Sequence, residues 1–205
     1  MDKFAQKANK LAKELNTTTT AYSDAALIFY QQGLDDSAVE ERVNTVIKMA
    51  NVTGEAAEDV SSYMTAVWNN FDDGSKSLEY YADAMAALGA ATASSTKEIA
   101  AGLEKFAAIA DTVGLSYEYA TSALATVVAE TRQSADVVGT AFKTILSRLE
   151  GLRLGENLDD GTTLNKYSAA LASVGVNIKD QQGQLKDMDQ ILDELGNKWY
   201  NLSRD

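Results

Sequence analysis

Adjacent carboxylates are the most obvious potential chemistry in this chain: Asp35/Asp36, Glu40/Glu41, Asp72/Asp73 and Asp159/Asp160. Two carboxylates held at a cleft can divide acid and base work across a scissile bond. Carboxylates alternating around a glycine can cage a calcium ion. The stretch NLDDG at 157–161 resembles part of such a loop, but it lacks the alternating ligands and the terminal Glu. Nothing in the spacing brings two carboxylates to one cleft. Solvated surface and turn chemistry are the expected roles.

The rest of the catalytic inventory is thin. The chain has no Cys and no His, which removes thiolate nucleophiles, the commonest general base and the commonest metal ligand. GLRLGEN at 151–157 lacks the Lys and Ser/Thr of a phosphate-binding loop. A Ser–Lys dyad is an arrangement that the sequence does not exclude. The expectation is a protein that is not an enzyme, with catalytic residues, cofactor and metal all none. The aromatics Tyr63, Trp68, Phe71, Tyr80 and Tyr81 could form a ligand cage. Such a grouping more often marks a core where two helices cross, so Tyr63, Trp68, Phe71 and Tyr81 are expected as aromatic core.

Composition narrows the class further. Of the 205 residues 45% are hydrophobic and 23% charged, a globular balance. The net charge of −12 argues against the clustered cations that sequence-specific or backbone binding to nucleic acid requires. No apolar run approaches the ~20 residues of a membrane helix, and the N-terminal MDKFAQKANK has no apolar signal core. The absence of Pro favours long stretches of helix.

The elements that must position these residues are amphipathic helices between short polar corners. TTTT at 17–20, Ser37 with Glu40, Thr53, Ser75 or Ser77, Ser95 with Glu98, Ser116 and Ser134 are candidate N-caps. Apolar stripes follow them, such as Val60, Tyr63, Met64, Val67, Trp68 and Phe71. Residues 151–163 carry three glycines and no stripe, so they read as the longest loop. At 176–185 the period falls to about two around a Gln182-Gly183 corner, which suggests a β-hairpin. The expected fold is mainly α: an array of about nine short amphipathic helices with one small β-hairpin near the C-terminal end.

The order of these corners carries a resemblance. LGAATASSTKEIAAGLEKFAAIADTVGLSYEYATSALATVVAETRQSADVVGTAFKTILSRL at 88–149 resembles the helical segment of phage tail tape measure proteins, also called phage minor tail proteins. The matching parts are a Ser/Thr-rich helix entry, a "GLS-x-E" cap and an "S-x-x-x-G-T-A" helix ending in Arg-Leu. Upstream, QQGL and ANVTG resemble the family's corners; downstream, VNIKDQQGQLKDMDQILDEL resembles its hairpin and helix. One departure is TRQ at 131–133, where the family often has a Gly-containing corner.

The resemblance implies an excerpt of a longer chain: an N-terminal helix at 1–16, a tape-measure core at 17–150, and a loop, helix, hairpin and terminal helix at 151–205 packed on that core. It implies a virion structural protein of a phage or prophage, acting in tail assembly, tail-length determination and genome delivery. It places the protein in the tail lumen, and in the bacterial cytoplasm during assembly. Its implied partners are the tail tube protein, tail assembly chaperones, tail-tip and distal tail proteins, and other copies of itself. A helical adaptor domain of a bacterial host protein, or a piece of a wall-degrading hydrolase, are the competing classes. Within the same segment Ala135 and Gly139 form a small-xxx-small pair on one helix. Missing side chains there allow a neighbouring helix to approach closely, which offsets the propensity glycine loses, up to about 1 kcal/mol.

Overall fold

The computed structural model describes residues 2–92, 94–154, 165–182 and 186–199. They form ten helices: α1 (Asp2–Glu14), α2 (Thr19–Gln31), α3 (Asp36–Thr53), α4 (Ala57–Phe71), α5 (Leu78–Ala91), α6 (Thr96–Thr112), α7 (Tyr117–Thr131), α8 (Ala135–Leu154), α9 (Asn165–Ser173) and α10 (Met188–Trp199).

The polar corners start several of them. Thr18, Ser77, Ser95 and Ser116 each accept a backbone N–H from the first turn, and Ser95 with Glu98 completes a reciprocal capping box. Two starts fall elsewhere. Asp35, not Ser37, caps α3, because its Oδ1 accepts from both Ser37 and Ala38 N–H. Thr53 belongs to the last turn of α3, where its hydroxyl donates to Met49 C=O. The chain turns at Gly54, in the left-handed conformation that glycine adopts freely, and α4 starts after Ala56 without a side-chain cap.

The helices pack in an order close to their sequence order. α1 lies on α2; α2 meets α3 and α4; α3 meets α5; α4 meets α6; and α6 lies along α8, with α7 against both and α9 on α8. One apolar core runs through them, with Phe29, Ile47, Met64, Trp68, Met85, Ile99, Leu103, Phe106, Leu124 and Leu146 fully buried. Alanines make the N-terminal contact close: Ala8 and Ala12 of α1 are each 1% exposed.

Two expectations are corrected here. No sheet is formed among the described residues, and the β-hairpin near the C-terminal end is absent from them. What the described residues hold instead is one backbone bond across the corner, Lys186 N–H donating to Ile178 C=O at 3.0 Å, with Gln182 N–H donating to the Asp180 carboxylate. The alternating pattern has its apolar residues inside, since Val176 is fully buried and Ile178 partly so. A pair this short has too little apolar face to sustain a ladder alone. The corner's far side, 183–185, lies outside the described residues. The expected loop at 151–163 also starts late, because α8 continues to Leu154. The remainder of that segment, with the calcium-like NLDDG at 157–161, lies outside the described residues.

Candidate functional site

The adjacent carboxylates do not converge. Asp35 caps α3, and Asp36 accepts from the Tyr30 hydroxyl at 2.9 Å. Glu40 pairs with Lys7 of α1. Asp72 and Asp73 accept from the Gly74 and Ser75 N–H groups, which folds the α4–α5 corner. Among the described residues no group of three acidic side chains is arranged to hold a metal ion.

The aromatics divide into two groups instead of one. Trp68 is 2% exposed and packs at 6.0 Å on Phe29 of α2. The guanidinium of Arg42 lies 5.0 Å from the Trp68 ring and 5.9 Å from that of Phe29, a cation over two electron-rich faces. Phe71 and Tyr81 meet a residue the sequence did not mark, Tyr117 at the first position of α7. Ring centroids are 5.6 Å apart for Phe71–Tyr117 and 5.1 Å for Tyr81–Tyr117, both edge-to-face. Tyr117 donates to Tyr81 C=O at 2.6 Å, and Tyr81 donates to Phe71 C=O at 2.9 Å. This chain of bonds ties α7 to α5 and α5 to the end of α4. Tyr63 stands apart, buried, with its hydroxyl donating to Glu55 at 3.1 Å.

The helix crossing is built from small residues on both sides. A Cβ on Gly139 would stand 2.9 Å from the carbonyl carbon of Gly102 on α6 and closer still to its oxygen. A Cβ on Gly102 would stand 2.7 Å from Ala135 C=O and 2.9 Å from Leu124 Cδ2. Real side chains do not approach backbone so closely, so α6 and α8 touch here main chain to main chain. Ala135 is 3% exposed at the same crossing. Gly102 was not marked by the sequence; its Gly in mid-helix, within AAGLEKFAA, was the available signal. The corner that feeds α8 is tight: Arg132 caps α7 at φ 55°, ψ 22°, a left-handed conformation costly for any side chain other than Gly or Asn.

A family model for phage-related minor tail proteins matches residues 5–205. The chain belongs to that family. No solved structure matches it.

As a member of the phage-related minor tail proteins, the chain joins a structural family of the phage tail, and its described residues are organised for packing and contact. Burial raises the hydroxyls of Tyr63 and Tyr117 far above the ordinary tyrosine value, with nearby Glu55 and Glu118 adding to the effect. Tyr22, buried beside Glu40, is pushed up to about 12. These are neutral core hydroxyls, unsuited to acid–base work near neutrality. At the surface, burial works against the charge on Glu118, but bonds from Lys76 and Tyr80 outweigh it and hold the carboxyl below its usual range. No described helix of this family member is long and apolar enough to cross a membrane.

Its open apolar surface is concentrated. A cleft of roughly 670 Å³ lies between α1, α2 and the start of α3, lined by Phe4, Leu27, Tyr30 and Val39. On α8, Val137 and Ile145 are about half exposed.

Proposed function

We propose that this chain is a segment of a tail tape measure protein, acting inside the tail tube in assembly, in setting tail length and in genome delivery. The observation that carries the reading is the family match across residues 5–205. Two properties support it. The chain is helical, and a helix advances ~1.5 Å per residue, so helical chain can measure distance. The net charge of −12 suits a lumen that DNA must traverse, since such a surface holds no phosphate backbone. In this reading residues 17–150 are the core of the segment, and 151–205 pack on it. The partners are the tail tube subunits, the assembly chaperones and the tail-tip proteins.

The folded form bears on how length is counted. The longest helix among the described residues, α8, has 20 residues and spans about 30 Å. The same 205 residues as one continuous helix would span ~300 Å. Electron microscopy of a parent phage with these residues deleted in frame separates the two. Tails shorter by up to ~300 Å make the segment part of the ruler in extended form. Tails of normal length that fail to form or to deliver DNA make it a folded assembly module. Normal tails with normal infectivity would overturn both and favour an adaptor role outside the virion.

A further inference from the structure

We propose that α9, the corner at 174–182 and α10 form a strap that lifts off as one unit while α1–α8 stay folded. The joint beneath it is thin. Helices α1–α8 are held by close main-chain approach, above all α6 on α8. Among the described residues α9 approaches α8 only sparsely, and α10 lies close along none of the eight. Side chains hold the strap instead. Met188 and Leu192 pack on the main core, whereas the buried Val176 and Ile191 lie outside it. Ile178, Met188 and Ile191 face Val113, just beyond α6, and Leu149 of α8 across a cavity of about 20 Å³. A void there forfeits contacts that a filled joint would make. The Asp193 carboxylate adds a bond from the Tyr119 hydroxyl of α7.

Within itself the strap is better braced. Val176 N–H donates to Leu171 C=O at 2.8 Å, and Lys186 N–H to Ile178 C=O at 3.0 Å. The Lys186 ammonium pairs with the Glu194 carboxylate, and the Lys198 ammonium reaches back to Gly175 C=O, each at 2.5 Å. These bonds join α9 to the corner and the corner to α10, so all of them survive when the strap leaves the core. A segment braced internally and joined thinly opens as a cooperative unit, at less cost than global unfolding. Lifting it bares Val113 and Leu149, so the strap governs access to this apolar end of the α6–α8 pair. The device is independent of any role in setting tail length.

Amide hydrogen exchange of the full chain, read residue by residue in urea below the unfolding midpoint, tests it. The amides of Val176, Lys186 and Ile191, each bonded to backbone within the strap, should share one opening. That opening should be at least about tenfold more populated than the one that frees the Leu103 and Leu124 amides. Its urea dependence should be shallower, because less surface is exposed. Met64→Ala cuts the core in α4, away from the strap. It should accelerate the core amides at least about tenfold and leave the strap amides at wild-type rates. Met188→Ala weakens the joint, which every opening breaks, so it should accelerate both sets by about the same factor. Strap and core amides that open together, with one urea dependence, overturn the proposal. So do strap amides that open independently of one another, strap amides that Met64→Ala accelerates as much as the core, or strap amides indifferent to Met188→Ala. The wild-type series decides the first two outcomes without any variant. Should Met64→Ala fail to fold, Ile47→Val makes the same comparison with a core acceleration of about threefold.

Discussion

Gly139 on α8 faces Gly102 on α6 with no side chain between the two main chains. Replacing Gly139 by Ala gains up to about 1 kcal/mol of helix propensity. The added methyl, however, meets backbone, which cannot rotate away, so the helices must separate. Overpacking of this kind costs about 1–3 kcal/mol. The loss should win: Gly139→Ala lowers stability in urea unfolding, and Gly139→Leu lowers it more. Gly196 in α10 is the control, because a Cβ there meets nothing within 4 Å. Gly196→Ala should raise stability by up to about 1 kcal/mol. Equal effects at the two sites would remove the close crossing from the account.

Arg132 supplies a second prediction. Its left-handed backbone costs a residue with a Cβ about 1–2 kcal/mol, while glycine takes it without strain. Glycine gives back part of that gain through the freer unfolded chain. Arg132→Gly should still stabilise the protein, by up to about 1 kcal/mol. Arg132→Val should destabilise it, since a β-branched side chain tolerates this conformation least. Thermal melts of the two variants, moving in opposite directions, are the expected result.

The helices themselves were readable because their causes are local. Ser95 and Glu98 sit three residues apart and bond reciprocally, and the apolar stripe from Val60 to Trp68 faces the core. Where two local signals compete, the sequence was ambiguous. Asp35 and Ser37 are both good caps, and Asp35 prevails because its carboxylate reaches two N–H groups. At Val176 and Ile178 the period-two pattern marks an apolar side turned inward, a property that a packed irregular segment shares with a strand. Tertiary partners were not legible at all. Gly139 announces a close approach but not its partner Gly102, and Tyr117 bears no mark of the ring contacts it makes with Phe71 and Tyr81.

The buried tyrosines set the alkaline limit of stability. Each is neutral in the fold, and its hydroxyl is raised above the ordinary value of 10.0, to about 12 for Tyr22. A raised native value means that ionisation is opposed by folding. The stabilisation is whole below pH 10 and is lost as the pH rises through the native values. Unfolding followed by helical signal should therefore set in between about pH 10 and 12, together with tyrosinate absorbance. Tyr22→Phe and Tyr117→Phe should each move that midpoint upward. Because Tyr117→Phe also removes the bond to Tyr81 C=O, it should cost about 1 kcal/mol at neutral pH. With no His in the chain, stability between pH 6 and 9 should be nearly flat.

Ser95 and Glu98 make the acid limb testable by the same linkage. The Ser95 N–H and then its hydroxyl bond to the Glu98 carboxylate and hold it below the ordinary glutamate value of 4.5. A depressed native value stabilises the fold above the unfolded value, and the gain disappears as the pH falls through the lower native one. Ser95→Ala removes the hydroxyl that caps the Glu98 N–H, at a cost of about 1 kcal/mol at pH 7. Glu98→Gln keeps the Ser95 cap but cannot ionise. Its stability should trail the wild type at pH 7 and converge on it below pH 4. Variants that stay equally far apart at both pH values would show that Glu98 acts by shape alone and that its charge does nothing for α6.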